Sequence, residues 1–250
     1  MPHKTIHHYT TPNEIDGFIT NFLFRRFKKL KEKMECAYPE VYLIPGNDDH
    51  KILFDTTAEG EKAGLWCNLH NRCIVIGKYR FYGYACVPPT PFMIKDWERF
   101  DISPIVGPGC ISPAKGYYSV PPDHDPEKDT IQKELQLLVN TDSLEFGIFL
   151  FHSPPYQTVL DQAEIQAEST DLQPLRTSVG SKAIREFIEE KQPYITMHGH
   201  IHESVRLTGL WKQALGRTCS FSAAHDGPEL AVIKFELHNP LSVTRRIIKT

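Results

Sequence analysis

No uninterrupted apolar stretch of this 250-residue chain approaches the ~18 residues a membrane-spanning helix needs. No membrane-spanning helix is therefore expected within these residues. The opening Met1-Pro2-His3-Lys4-Thr5 is polar and has none of the apolar run of a secretory leader. The six cysteines (Cys36, Cys67, Cys73, Cys86, Cys110, Cys219) form no C-x-x-C pair. The chain therefore lacks a zinc-finger pattern and a disulfide framework, and a reducing, cytoplasmic setting is expected. Neither sign of charge dominates: the formal net charge is -3, which argues neither for nor against nucleic acid. Hydrophobic content of 40% and charged content of 24% are ordinary for a globular protein. No internal repeat is present. A chain of this length buries a sizeable core as a single domain, residues 1–250.

What the chain does have is histidine at alternate positions, in Met197-His198-Gly199-His200-Ile201-His202. The run follows Gln192-Pro193-Tyr194-Ile195-Thr196, an extended segment. Neutral imidazole offers a lone pair at physiological pH and is the commonest protein metal ligand. Gly199 is expected to let the backbone turn and bring two rings to one point. The alternative is a set of strand-end histidines satisfied by hydrogen bonds.

Two other segments share the pattern. Val41-Tyr42-Leu43-Ile44 reads as a buried strand and runs into Pro45-Gly46-Asn47-Asp48-Asp49-His50. Polar residues at the carboxyl end of a strand lie where open α/β sheets place their ligands. Pro-Gly and Asn-Asp are also turn formers, so a simple turn is the competing reading. Phe146-Gly147-Ile148-Phe149-Leu150-Phe151 likewise ends in His152, and Pro154-Pro155 stops the strand.

Together these segments resemble the calcineurin-like metallophosphoesterase family. Five ordered motifs mark it: Asp-x-His, Gly-Asp, Gly-Asn-His-Asp/Glu, a lone His after a strand, and Gly-His-x-His. Gly46-Asn47-Asp48-Asp49 resembles the third, His152 the fourth and Gly199-His200-Ile201-His202 the fifth, over about residues 40–235. The resemblance implies a four-layer α/β/β/α sandwich with two metal ions at the strand ends. One ion would take Asn47, His152 and His200; the other would take His202 with ligands from the first two motifs. Two ions ~3.5–4 Å apart clamp a phosphoryl group and activate a bridging water. Mixed N/O ligation suits Mn, Fe or Zn. The implied activity is hydrolysis of a phosphomonoester or phosphodiester, with a small or nucleotide-type substrate expected. The competing function is a catalytically inactive scaffold or binding module on the same fold.

The chain departs from the family in two places. The first two motifs are absent, so an N-terminally truncated chain is expected, with at most one weakly bound ion and low solubility from uncovered strand edges. Asp48 stands where the family most often has a histidine that assists the leaving group. An aspartate ordinarily titrates near 3.9 and would repel phosphate. It serves as an acid only if burial or neighbouring charge raises its pKa; otherwise it is a turn residue. Both roles stay open, as does a homo-oligomer.

Thr11-Pro12-Asn13-Glu14 is a capping box opening a helix to about Cys36. Ile15, Phe18, Ile19, Phe22, Leu23, Phe27, Leu30 and Met34 recur at helical spacing as its core face. Arg25, Arg26, Lys28, Lys29, Lys31 and Lys33 crowd its second half. A solvated face is preferred to nucleic-acid contact, since no aromatic stacking platform accompanies the charges. Residues 72–87 read as a β-hairpin turning at Gly77-Lys78. Residues 88–126 hold nine of the nineteen prolines. They read either as an insertion over the metal site or as a loop packed outside the sheet. Helices are expected at about 127–139 and 181–191, the latter capped by Ser181. Alternating segments near 204–208, 218–223, 230–237 and 242–248 suggest an antiparallel finish.

Overall fold

A computed structural model of the chain describes residues 16–140, 143–165 and 175–249. The capping box at Thr11–Glu14 and the core position Ile15 lie outside these residues. The chain divides into two compact units, one of residues up to 43 with 48–68, the other of residues 44–47 with 69 onward.

The first unit carries a helix that changes register. Ile19–Phe24 is π-helical and continues into an α-helix, Arg25–Met34. The wider turn re-phases the side chains, so the stripe expected from a uniform 3.6-residue period does not hold. Ile19 is buried, whereas Phe18, Phe22 and Leu30 are exposed. Phe24, absent from the expected stripe, joins Phe27 in edge-on contact with Trp66, at centroid distances of 6.4 and 5.6 Å. Phe18 and Phe22 stack on each other at 5.2 Å, with the Arg26 guanidinium over Phe22. An exposed aromatic pair does therefore accompany the basic run. The segment read as a four-residue buried strand is shorter: β1 is Tyr42–Leu43, half-buried, and pairs in parallel with β2, Cys67–Asn68.

The second unit is a mixed α/β structure. β3 (Arg72–Ile76) and β4 (Tyr79–Tyr84) form the expected hairpin, with Gly77 at φ +58° in its turn. β5 is Gly147–Phe151, β6 Gln162–Ile165, β7 Leu175–Ser178, β8 Ile195–His198, β9 Lys212–Leu215 and β10 Thr218–Ser222. Six of these make one sheet in the order β3-β4-β5-β8-β10-β9. Its four central strands, β4, β5, β8 and β10, run parallel, and β3 and β9 are antiparallel edges. β6 and β7 pair with each other, as do β11 (Leu230–Glu236) and β12 (Asn239–Ile248). The finish is thus antiparallel only in part. β10 also pairs in parallel with β8, and residues 204–208 are a helix ended by Gly209 in the left-handed region.

Strand alternation assigns the two faces of the large sheet. Ile148, Ile195 and Phe221 point to one face, where Val243, Ile233 and Phe235 of the β11–β12 hairpin pack on them. Phe149 and Phe151 point to the other and meet Phe187 edge-on at 5.1 and 6.1 Å. Phe187 belongs to the helix Lys182–Lys191, which buries Ala183, Ile184, Phe187 and Ile188. The helix Ile131–Val139 buries Ile131, Leu135 and Val139, the spacing of a single helical face. Each large apolar side chain so buried contributes ~1.5–3 kcal/mol.

Both helices start where the sequence puts a hydroxyl. Thr130 Oγ1 accepts from the Lys133 amide at 3.2 Å, and Ser181 Oγ from the Ile184 amide at 3.0 Å. Asp101 reinforces the second cap. Its carboxylate accepts from the Ser181 hydroxyl (2.6 Å) and from the amides of Lys182 (2.7 Å) and Ala183 (3.2 Å). A carboxylate at a helix N-terminus is also favoured by the helix dipole. Asp101 lies in the proline-rich segment, which is anchored to the helical layer here, at Arg99–Glu134 (2.8 Å) and at the Ile131 amide bonded to Phe100 O (2.7 Å). A buried Lys95–Glu98 pair, 2.6 Å apart, holds the segment together from within.

Candidate metal centre

The four parallel strands bring their carboxyl ends to one edge, and backbone bonds tie these ends together just past the sheet. The His152 amide donates to Tyr84 O (3.1 Å), the Gly199 amide to His152 O (3.0 Å) and the Ala223 amide to His198 O (3.1 Å). The expected ligands Asn47, His152 and His200 meet at this edge. Asn47 Oδ1 lies 2.9 Å from His152 Nε2 and 2.8 Å from His200 Nδ1. Asn47 is buried; the two imidazoles keep part of their surface accessible.

The approach of His152 depends on Gly46. A Cβ at that position would stand 2.9 Å from His152 Cε1 and 3.1 Å from Nε2. The glycine before Asn47 is thus required by packing, a role motif spacing alone does not reveal.

The histidine run behaves differently from expectation. Gly199 does not make the turn; His200 itself adopts the left-handed region, with φ +65°. A positive φ is uncommon in a non-glycine residue, and histidine is one of those that tolerate it. The two rings gathered at one point are His152 and His200, from different strand ends, rather than two from the run. His198 is still part of β8, and alternation turns it into the sheet's helix-side face. There it is buried, stacked on Phe151 at 5.7 Å, with Nδ1 3.0 Å from Ser153 O and Nε2 2.8 Å from Thr196 Oγ1. Thr196 Oγ1 is in turn 2.8 Å from Ser220 Oγ. The alternative of strand-end histidines satisfied by hydrogen bonds fits His198, although the polar chain itself was missed. Its signal was the hydroxyl residues at Thr196 of β8 and at Thr218, Ser220 and Ser222 of β10.

His202 lies exposed in the turn beyond His200. Its charge helps lower the pKa of both neighbouring rings. Asp48 is exposed in the turn that follows Asn47 and belongs to the first unit.

Burial, with His202 second, pushes His152 down to about 4. Burial, then the charges of His152 and His202, holds His200 well below the usual imidazole range. Both rings are therefore neutral near pH 7 and have a lone pair to offer. At 2.9 and 2.8 Å, His152 Nε2 and His200 Nδ1 stand at hydrogen-bond distance from Asn47 Oδ1, and the tautomer of each ring decides whether that nitrogen carries the proton. One carboxamide oxygen and two imidazole nitrogens make a neutral, mixed N/O donor set. Among the described residues, no three His, Cys, Asp or Glu side chains gather as a cage for an ion. The Asn47 cluster has two of these, and its third donor is the carboxamide.

No protein-family model and no curated protein sequence matches this chain. A solved crystal structure shares its fold with a TM-score of 0.54 at 15% identity, over 95% of this chain and 76% of the other. TT1561 of Thermus thermophilus superposes with a TM-score of 0.47 at 14% identity, over 90% of this chain and 80% of that one. At these identities the first likeness speaks for the fold alone. Among the described residues no helix is long and apolar enough to cross a membrane.

Proposed function

We propose that this protein is a metal-dependent phosphoesterase of the calcineurin-like type, on the four-layer α/β/β/α architecture. The observation that carries the reading is the convergence of His152 and His200 on Asn47 Oδ1. These three residues come from distant parts of the chain and are the ones the motif resemblance singles out.

Asn47, His152 and His200 would hold one divalent ion of the Mn, Fe or Zn class; a second ion would have only His202 from the motifs present. A bound ion of this kind supplies Lewis-acid polarisation of a phosphoryl oxygen and a water of lowered pKa. The protein's own part is positioning. The backbone bonds between strand ends hold His152 and His200 at fixed separation, and burial keeps their rings neutral. Asp48 is exposed at the turn, so burial does not supply the proton-carrying role, and the role of turn former fits it better. A small phosphomonoester or phosphodiester, including a nucleotide, is the substrate class.

The test is elemental analysis of the purified protein, together with hydrolysis of a generic phosphodiester with added Mn, for wild type and His200→Ala. Bound metal and turnover that both disappear in His200→Ala support the reading. A wild type that takes up no Mn, Fe or Zn and hydrolyses nothing sinks it and leaves a binding module on this fold. The neutral character of the three donors at Asn47 is what keeps that second reading alive.

A further inference from the structure

His198 is the buried histidine that the metal reading leaves unused. It is 4% exposed and has a partner at each ring nitrogen. Ser153 O is a carbonyl and only accepts, so His198 Nδ1 must carry the proton in that bond. A neutral ring then has an unprotonated Nε2, which accepts from the Thr196 hydroxyl. Thr196 Oγ1 accepts in turn from the Ser220 hydroxyl, 2.8 Å away. Every donor in this buried chain is used in one direction only, and the direction sets the tautomer.

The acceptor at the end of the chain matters most. Ser153 directly follows His152, and His198 lies two residues before His200. The His198–Ser153 bond therefore links the two segments that carry the converging rings. It runs beside the Gly199 amide bond to His152 O (3.0 Å), so two hydrogen bonds staple the β5 and β8 ends together. Stacking on Phe151, at 8° between planes, removes the ring's remaining freedom.

We propose that His198 is a positioning residue of this site, which as the Nδ1–H tautomer fixes the spacing between His152 and His200. The proposal rests on the metal reading for its consequence, tighter ion binding, but the staple itself is independent of any ion. Outer partners of this kind typically change metal affinity by ~10–100-fold when removed.

The experiment compares wild type, His198→Phe and His198→Gln by Mn affinity, melting temperature and imidazole 15N spectra. Phenylalanine keeps the stacking and loses both hydrogen bonds. Glutamine keeps an N–H donor for Ser153 O and an oxygen acceptor for Thr196. The expected result has four parts. His198 of the wild type is protonated at Nδ1. The ring signals of His152 and His200 shift in His198→Phe and return towards wild type in His198→Gln. Mn affinity falls by ~10–100-fold in His198→Phe. Glutamine restores most of it, even if its melting temperature is no higher than that of His198→Phe.

An Nε2–H tautomer, or unmoved His152 and His200 signals in a folded His198→Phe, overturns the staple whether or not the protein binds metal. Unchanged Mn affinity in a folded His198→Phe overturns the positioning role. A wild type that binds no Mn while the ring signals respond as expected overturns the metal reading and with it the site role of His198, leaving only the staple. These two failures are thus told apart by the ring spectra.

Discussion

The rings of His152 and His200 stand 5.1 Å apart with their planes tilted by 56°. They belong to different strand ends, and both direct a nitrogen at the same oxygen of Asn47. Removing that oxygen is the simplest perturbation. Asn47→Ala is expected to weaken Mn binding by more than the ~10-fold loss typical of an outer partner, since a donor itself is gone. Titration calorimetry measures it; affinity within ~3-fold of wild type would mean that Asn47 is not a ligand.

Gly46→Ala tests the close packing against His152. The added Cβ would meet the ring at 2.9–3.1 Å, so the ring must move. Overpacking of this sort costs ~1–3 kcal/mol, and ion binding should weaken although no donor has been removed. Denaturant unfolding and Mn titration of the same sample report both effects. A neutral outcome in both would show that the ring has room to yield.

Stability should fall on mild acidification. Burial pushes the imidazole of His198 down to about 4, and that of His152 to a similar value. In the unfolded chain these groups titrate near ~6.5. Between the two values the unfolded chain binds protons that the folded protein refuses, so stability is lost as pH falls from ~6.5 towards ~4. His198 alone accounts for ~3 kcal/mol of that loss. The carboxyls of Glu98 and Asp101, raised by burial, act with the opposite sign and offset part of it. Melting curves of the metal-free protein from pH 7.5 to 4.5 should show the decline, and His198→Phe should show a shallower one. Equal slopes would remove His198 as a source.

Phe149 is fully buried between Tyr82, Phe151 and Phe187, with the first ring stacked on it at 4.6 Å. Phe149→Ala should cost ~3–5 kcal/mol, read as a lower urea midpoint. Asp101→Ala should cost less, ~1–2 kcal/mol, the usual range for a lost helix cap. It should also free the proline-rich segment at that anchor, detectable as earlier proteolysis within residues 88–126. A cost for Asp101→Ala equal to that of Phe149→Ala would mean the segment is part of the core rather than tied to it.

Local chemistry determined much by sequence alone. The β3–β4 hairpin follows from alternation and Gly77, and the helix Lys182–Lys191 from its Ser181 cap, whereas the helix expected from about residue 127 begins only at Ile131, after the Thr130 cap. These depend on contacts within a few residues, which sequence spacing records directly. Asn47, His152 and His200 were singled out as expected donors by their motif resemblance; that they meet at one oxygen is a fact of the structure.

Tertiary structure alone decided how those donors are used. The positive φ fell on His200 rather than on Gly199, because the β5–β8 bonds fix the strand end before the turn begins. His198 entered the core because β8 continues through it, and a strand's period of two leaves no choice of face. Phe24, outside the expected stripe, packs on Trp66 while Phe22 on the stripe is exposed, because a π-turn re-phases the helix, an event that a uniform periodicity does not register. The His200 conformation turns on bonds between strands far apart in the chain, which spacing in sequence does not record, whereas the π-turn and the extent of β8 are local departures from the expected periods.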